Sequence, residues 1–481
     1  MIVLRNQRSL RRWAVGVSLV VAACGSTRTA IPRHVRFAEV RPIVTELGPR
    51  LPSPLGALSD AQREAAWPQW IYAHDQEIRA RLEQGDEDTI INWMLFGTSF
   101  TSQPRALLGA VEGDTSADPD LVLRKTIELI NARMDDLLSA LSAPGSDERR
   151  LFARGLLERK GLRFGSAAEL AAVRDHLLRA VMRVAREQDT IDQVLAATTR
   201  SGDSIAEFVE RSHLFRTRGL SLDTAFLPNY AIEQSLAEMK SRGLLKPGDV
   251  KRVAIIGPGL DFADKDVGFD FYPQQTVQPF AVLDTLKRLG LAAPGPGPEI
   301  VLLDISPRVF DHVTRAVARA AEGNGYAMNL PLTRVTDWAP DVRRYWQTFG
   351  DQIGEPVDAP APPAITAQAD SRAVRVAPSA VQRLSVTDLN IVAERLDGGA
   401  FDLMIATNVF VYYDVFDQAL ALSNVEAMLK PGAFLLANFP APEVRALTIR
   451  PAETVTTVYG RDRNGVESIL DFMVWYQAPS N

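Results

Sequence analysis

From residue 253 onward, short apolar runs alternate with amphipathic stretches and stop at glycine or at a single polar residue, a pattern few folds satisfy. Lys251-Arg252-Val253-Ala254-Ile255-Ile256 ends directly in Gly257-Pro258-Gly259. Apolar runs without polar alternation belong to strands covered on both faces. Thr276 to Leu289 reads as a helix with Pro279 in its first turn and Leu283, Leu286 and Leu289 turned inward. Glu299 to Leu303 is a second strand ending in Asp304, and Leu384 to Asp388 is a third. Phe401 to Asn408 is a fourth, and Val415 to Lys430 is a helix stopped by Pro431-Gly432. Ala433 to Asn438 is a fifth strand. This alternation predicts an α/β, Rossmann-like doubly wound parallel sheet with ligands at the C-terminal strand ends. Thr454 to Tyr459 and Val466 to Gln477 alternate around Asn464-Gly465, the signature of a closing antiparallel hairpin.

The residues at the strand ends carry the chemistry. Glycines at the first end let the backbone turn tightly and approach a ligand without interference from Cβ. An acid at the tip of the second strand can accept hydrogen bonds from both ribose hydroxyls of an adenosine cofactor. Val253 to Gly259, Val301 to Asp304, Val386 to Leu389, Phe401 to Asp414 and Met428 to Asn438 resemble, in order, the successive motifs of class I S-adenosylmethionine-dependent methyltransferases. Phe401 to Val409 and Met428 to Phe434 are the most specific of these, and the resemblance covers residues 220 to 480. It implies S-adenosyl-L-methionine as cofactor and a small-molecule or protein methyl acceptor. Gly257 and Gly259 would face the methionine part and Asp304 the ribose. Asp388 would approach the adenine amino group, and Asn408 would line the methyl-transfer end. No residue is identified as a catalytic base.

The chain departs from that family pattern in several places. Ile255 stands where an acid is common, and Asp261 where a third glycine is common. From Gly259 to Asp304 is 45 residues. The added length, Ala263 to Gln275, is expected as a lid, and the proline-rich Gly350 to Pro378 as a mobile surface loop. A catalytically degenerate ligand- or partner-binding domain is the competing reading. An NAD-dependent oxidoreductase is a second, although Phe262 occupies the position of its last glycine. Thr407-Asn408-Val409-Phe410 lacks the motif of nucleic-acid amino-methyltransferases.

Ahead of this region, residues 59–243 read as a helical domain joined to the α/β domain of residues 244–481. Ser59-Asp60-Ala61-Gln62 and Ser166-Ala167-Ala168-Glu169 match the capping box. Leu123, Ile127, Ile130, Met134, Leu137 and Leu141 form one apolar stripe, and Leu170, Val173, Leu177, Val181 and Val184 another. Phe96 to Thr101 reads as a connecting loop. The histidines are scattered singly, so no metal site is expected.

The N-terminus has a different character. Arg5, Arg8, Arg11 and Arg12 precede an apolar run from Trp13 to Ala23, which is short for a membrane span and suited to a signal peptide. Val21-Ala22-Ala23-Cys24 resembles the lipobox of bacterial lipoproteins, and Cys24 is the only cysteine in the chain. Residues 1–24 are therefore expected as a lipoprotein signal with Cys24 lipidated, anchoring the protein in the cell envelope; a misassigned N-terminus would leave it cytoplasmic. Residues 25–58, with five prolines, are expected as a tether. The formal charge of −6 becomes more negative without those four arginines, which disfavours nucleic acid as a partner.

Overall fold

The computed structural model describes residues 31–106, 119–199, 214–216, 218–263, 269–332, 338–366, 369–398, 400–442, 444–461 and 467–480. The signal segment 1–24 with Cys24, and the Asn464-Gly465 turn, lie outside the described residues. The N-terminal half contains β1 (Pro32–His34), α1 (Phe37–Leu47), α2 (Asp60–Phe96), α3 (Pro119–Ser142), α4 (Glu148–Arg159) and α5 (Ala167–Thr199). Then come α6 (Leu227–Ser241), β2 (Arg252–Ile256), α7 (Gln278–Arg288), β3 (Glu299–Asp304), α8 (Pro307–Ala321) and β4 (Tyr326–Leu332). The next elements are α9 (Pro340–Thr348), β5 (Gly354–Val357), β6 (Asp370–Val376), α10 (Pro378–Val381), β7 (Leu384–Asp388) and β8 (Glu394–Leu396). The chain closes with β9 (Phe401–Ala406), α11 (Val415–Met428), β10 (Leu429–Ala437), β11 (Arg450–Arg461) and β12 (Glu467–Gln477).

The main sheet has the order β11-β12-β10-β9-β2-β3-β7. Its core strands are parallel, and β12 runs antiparallel to both neighbours. The chain thus enters the sheet at the interior strand β2, winds outward to β3 and β7, returns to β9 and winds outward the other way. Strand order reverses between β2 and β9, which opens a crevice at their C-terminal ends.

Alternate residues of each strand feed two different cores, as a pleated strand covered on both faces requires. Ala254, Ile256, Val301, Leu303, Met404 and Ala406 join one apolar cluster. Val253, Ile255, Ile300, Leu302, Leu403 and Ile405 join the other.

The first of these clusters corrects the expected tether. Phe37, Val40, Ile43, Val44 and Leu47 of α1 are buried in it, with Trp67, Ile71 and Ile78 of α2. β1 also pairs antiparallel with β8. Residues 32–58 are therefore part of the α/β core, because that sheet face needs more apolar cover than α11 supplies. The boundary expected at residue 243 shifts too, since α6 packs into the opposite core.

The second half of α2 leads a different life. Ile90, Ile91, Trp93, Met94 and Leu95 pack with Met134, Leu137 and Leu141 of α3, Leu156 and Leu157 of α4, and Val173, Leu177, Val181 and Val184 of α5. Both predicted stripes contribute, but Leu123 and Ile127 remain exposed. Arg133 is fully buried among these helices and donates to the carbonyls of Met94, Gln103 and Pro104 at 2.7–2.9 Å, and to that of Gly97.

Two inserted segments also differ from expectation. Within Gly350 to Pro378, β5 and β6 join β4 in a three-stranded antiparallel sheet rather than forming a mobile loop. Val374 and Val376 anchor it to the core. The described part of the segment Ala263 to Gln275, residues 263 and 269–275, is tied down and does not line the crevice. Asp270 accepts hydrogen bonds from Trp93 Nε1 (2.6 Å), from the backbone and hydroxyl of Thr98 (2.8 and 2.6 Å), and from those of Ser99 (3.0 and 2.7 Å). Burial pushes this carboxyl up, but Arg149 and the donors outweigh it and its pKa is lowered. Phe96 to Thr101 is thus the receptor for that insertion.

Candidate functional site

The crevice is a cleft open to solvent. Its floor is the glycine turn after β2 and the tips of β3 and β9; its roof is residues 220–225 with Leu82 of α2. No described residue of Ala263 to Gln275 lines it, so the lid comes from the segment before α6 instead.

Gly257 and Gly259 both adopt positive φ, 60° and 67°. The Gly257 amide donates to Leu303 O at 2.9 Å, which closes the turn against β3. A Cβ at Gly259 would stand 2.4 Å from Thr224 Cγ2 and 2.5 Å from Leu222 O. The roof therefore rests directly on the glycine loop, and Leu260 N donates to the same Leu222 carbonyl at 2.9 Å. On its far side the roof meets α2 by a second glycine contact: a Cβ at Gly85 would fall 1.9 Å from Leu220 O. Arg81 clamps that junction, donating to the carbonyls of Phe215, Arg218 and Tyr412 at 3.1 Å.

Asp304 is buried at the tip of β3. Its Oδ1 accepts from Ser306 N at 2.8 Å, while Oδ2 has no hydrogen-bond partner among the described residues. Burial raises its pKa to about 7, against the Ser306 hydrogen bond and the nearby Gly259 and Ile305 amides, which lower it. A buried acceptor left without a donor is costly, and it suits a ligand that brings hydroxyls. Asn229 Oδ1, in the first turn of α6, is a second buried acceptor of this kind in the lining.

Asn408 follows β9 with φ 58°, the one positive value at a non-glycine residue among those described. Asn438, at the end of β10, holds it: Asn438 Oδ1 accepts from Asn408 N and Asn438 Nδ2 donates to Asn408 Oδ1, both at 2.8 Å. A strained residue over-determined by its neighbours is a common property of functional sites. Next to it Gln278 Nε2 donates to Thr407 Oγ1 at 2.8 Å. Tyr412 and Tyr413 complete this end of the lining, and burial pushes the Tyr413 phenol up.

The fold thus brings Gly257, Gly259, Asp304 and Asn408 together around one cleft. Asp388 is the exception. Although it pairs in register with Asp304, it does not line the cleft; its Oδ1 accepts from Arg79 Nη1 at 2.6 Å. Asp261, in the place of a third glycine, is also outside. Its Oδ2 accepts from Tyr272 OH at 3.0 Å and Gln275 Nε2 at 2.9 Å, so it anchors the insertion, and burial raises its pKa to about 6. Asp402 is structural: Oδ2 accepts from the Lys251 and Arg252 amides at 2.9 Å. The roof, Asn229 and the Gln278–Thr407 pair were not singled out from sequence, and no local pattern marks them.

His34, Asp75 and Glu394 bring potential metal-ligand atoms within 4.8 Å of one another. The cation among them is Arg79, which donates to Asp75 Oδ1 at 2.8 Å and Glu394 Oε2 at 3.1 Å. No described helix is long and apolar enough to cross a membrane.

No family model and no curated protein matches the chain. Solved structures do. The N-methyltransferase NodS from Bradyrhizobium japonicum, in complex with S-adenosyl-L-homocysteine, is 13% identical and has a TM-score of 0.25, with 57% of this chain and 99% of that chain covered. A TehB-like SAM-dependent methyltransferase from Corynebacterium glutamicum is 9% identical, with a TM-score of 0.24 and coverage of 53% and 99%. Geranyl diphosphate C-methyltransferase from Streptomyces coelicolor is 11% identical, with a TM-score of 0.25 and coverage of 52% and 80%. At such values the fold assignment rests on strand order, not on these superpositions. By that order the C-terminal half is a Rossmann-like doubly wound sheet with a closing antiparallel hairpin, and its cleft lies where such sheets bind ligands.

Proposed function

We propose that the chain is an S-adenosyl-L-methionine-dependent methyltransferase acting on a small-molecule or protein acceptor. The observation that carries this reading is the buried, half-unpartnered carboxylate of Asp304, set beside a glycine turn at the switch point of the sheet. The orphaned oxygen suits the two hydroxyl donors of a ribose, and the space above Gly257 and Gly259 suits a ligand that needs close backbone approach. Bound S-adenosyl-L-methionine supplies an electrophilic methyl group on a sulfonium. The protein's part is to orient: Asp304 holds the ribose, the glycine turn accommodates the methionine part, and Asn408 lines the transfer end with Tyr412. Alignment of the acceptor with the methyl group, and exclusion of water by the roof, contribute to the rate.

Calorimetric titration of residues 25–481 is expected to give heat with S-adenosyl-L-methionine and none with NADH. Folded protein that gives no heat with the former would sink the proposal. Binding without turnover is the second reading, favoured by the capture of Asp388 by Arg79. Transfer of a labelled methyl group to envelope extract separates the two.

We also propose that residues 1–24 direct export and that lipid on Cys24 anchors the protein in the cell envelope. The arginine-rich start and Val21-Ala22-Ala23-Cys24 support this reading. Cys24→Ala is expected to move the protein from the membrane to the soluble fraction; unchanged fractionation rejects the anchor.

A further inference from the structure

The cleft wall formed by Leu389, Asn390 and Ile391 follows the tip of β7, next to Asp304. In the proposed function this wall flanks the nucleobase, so its polar groups decide whether the base edge is read. Several of them already have a partner within the protein. Asp388 Oδ1 accepts from Arg79 Nη1 at 2.6 Å. Leu389 N donates to Asp304 O at 3.1 Å, and Asn390 N to Glu394 Oε2 at 2.8 Å. The Asn390 side chain is used at both ends, donating to Asp75 Oδ1 at 2.8 Å and accepting from Val392 N at 3.1 Å.

The centre of this network is Arg79, on α2 and 309 residues away from Asp388 in the chain. Its guanidinium spans Asp75, Asp388 and Glu394, a planar multidentate grip that lysine could not reproduce. Beside the engaged Asn390, what faces the cleft here is apolar: the side chains of Ile305, Leu389 and Ile391.

We infer that Arg79 is a specificity-determining residue: by holding Asp388 and its loop, it makes the nucleobase end of the cleft an apolar slot that does not read the 6-amino group. The inference rests on the proposed function. A site that hydrogen-bonds a group rejects the analogue lacking it strongly, whereas an apolar slot discriminates weakly. The base is then held by shape and stacking area, and a 6-oxo base fits as well as adenine.

Calorimetry on the full chain with S-adenosyl-L-homocysteine and S-inosyl-L-homocysteine tests this. The wild type is expected to bind the two within about threefold of each other, and Asp388→Asn to leave that ratio unchanged. Arg79→Met frees Asp388, so a preference of at least about fivefold for the 6-amino ligand should appear, and should vanish again in Arg79→Met/Asp388→Asn. A wild-type preference of about tenfold or more overturns the inference, as does an Arg79→Met protein that keeps the wild-type ratio. If Arg79→Met does not fold, the wild-type ratio and its response to Asp388→Asn, a substitution at an exposed side chain, still decide it. Absence of S-adenosyl-L-homocysteine binding by folded wild type overturns the underlying reading instead, and so is distinguishable.

Discussion

Gly259→Ala is expected to abolish ligand binding in the cleft and to cost about 3 kcal/mol of stability. Two causes add. A φ of 67° is strained for any residue with a Cβ, by about 1–2 kcal/mol. The new methyl would also sit 2.4 Å from Thr224 Cγ2 and 2.5 Å from Leu222 O, and overpacking of this kind costs about 1–3 kcal/mol. The Leu222 carbonyl cannot simply swing aside, because it accepts from Leu260 N and is followed by the roof segment. Relief therefore means lifting residues 220–225 off the glycine loop, which changes the cleft itself. Gly290 provides the matched control. It has the same φ of 67° but nothing within 4 Å of a built Cβ. Gly290→Ala should cost about 1 kcal/mol and leave binding intact. Equal urea midpoints and equal ligand affinities for the two variants would show that the contact with the roof has no role.

What could be read from the chain and what could not divide along physical lines. Strands β2, β3, β9 and β10 were legible because residues buried on both faces leave continuous apolar runs, and the edge strand β7 only from its short Leu384 to Asp388 run; the strand tips carry Gly257, Asp304, Asp388 and Asn408. The closing hairpin was legible from alternation. The tether was misread because five prolines outweighed Phe37, Val40, Val44 and Leu47, whose spacing already described one helical face. Pro42 even lies inside α1. The segment Gly350 to Pro378 was misread for the same reason, although Ala373, Val374 and Val376 bury themselves between its prolines. The roof and the capture of Asp388 belong to another class. Gly85 meets Leu220, and Arg79 meets Asp388, only through tertiary packing across more than a hundred residues, and no local periodicity records such pairs. Strand-end chemistry is a local property; which strand ends stay open to a ligand is not.

Ligand affinity is expected to follow the ionisation of Asp304. Burial raises this carboxyl to about 7 from the 3.8 of an ordinary aspartate, and Ser306, Gly259 and Ile305 amides lower it only in part. Below pH 7 the group is mainly protonated and is the weaker acceptor; the hydroxyls of a ribose bond more strongly to the carboxylate. Binding of S-adenosyl-L-homocysteine should therefore tighten by about tenfold per unit as pH rises toward 7, level off above it, and release a proton at pH 6. The same raised pKa acts on folding with the opposite sense. The folded protein holds the Asp304 proton over the interval from 3.8 to about 7 that the unfolded chain has lost, so this group's contribution is greatest below 3.8 and falls as pH rises through 7. Asp304→Asn removes the buried charge but keeps the shape. At pH 8 it should raise the melting temperature of the ligand-free protein, yet weaken binding by at least about tenfold, since hydrogen bonds to a charged group are worth about 1.5–3 kcal/mol each. Stability gained where function is lost marks a residue kept for its ligand and not for the fold. A pH-independent affinity that Asp304→Asn does not change would remove Asp304 from the site.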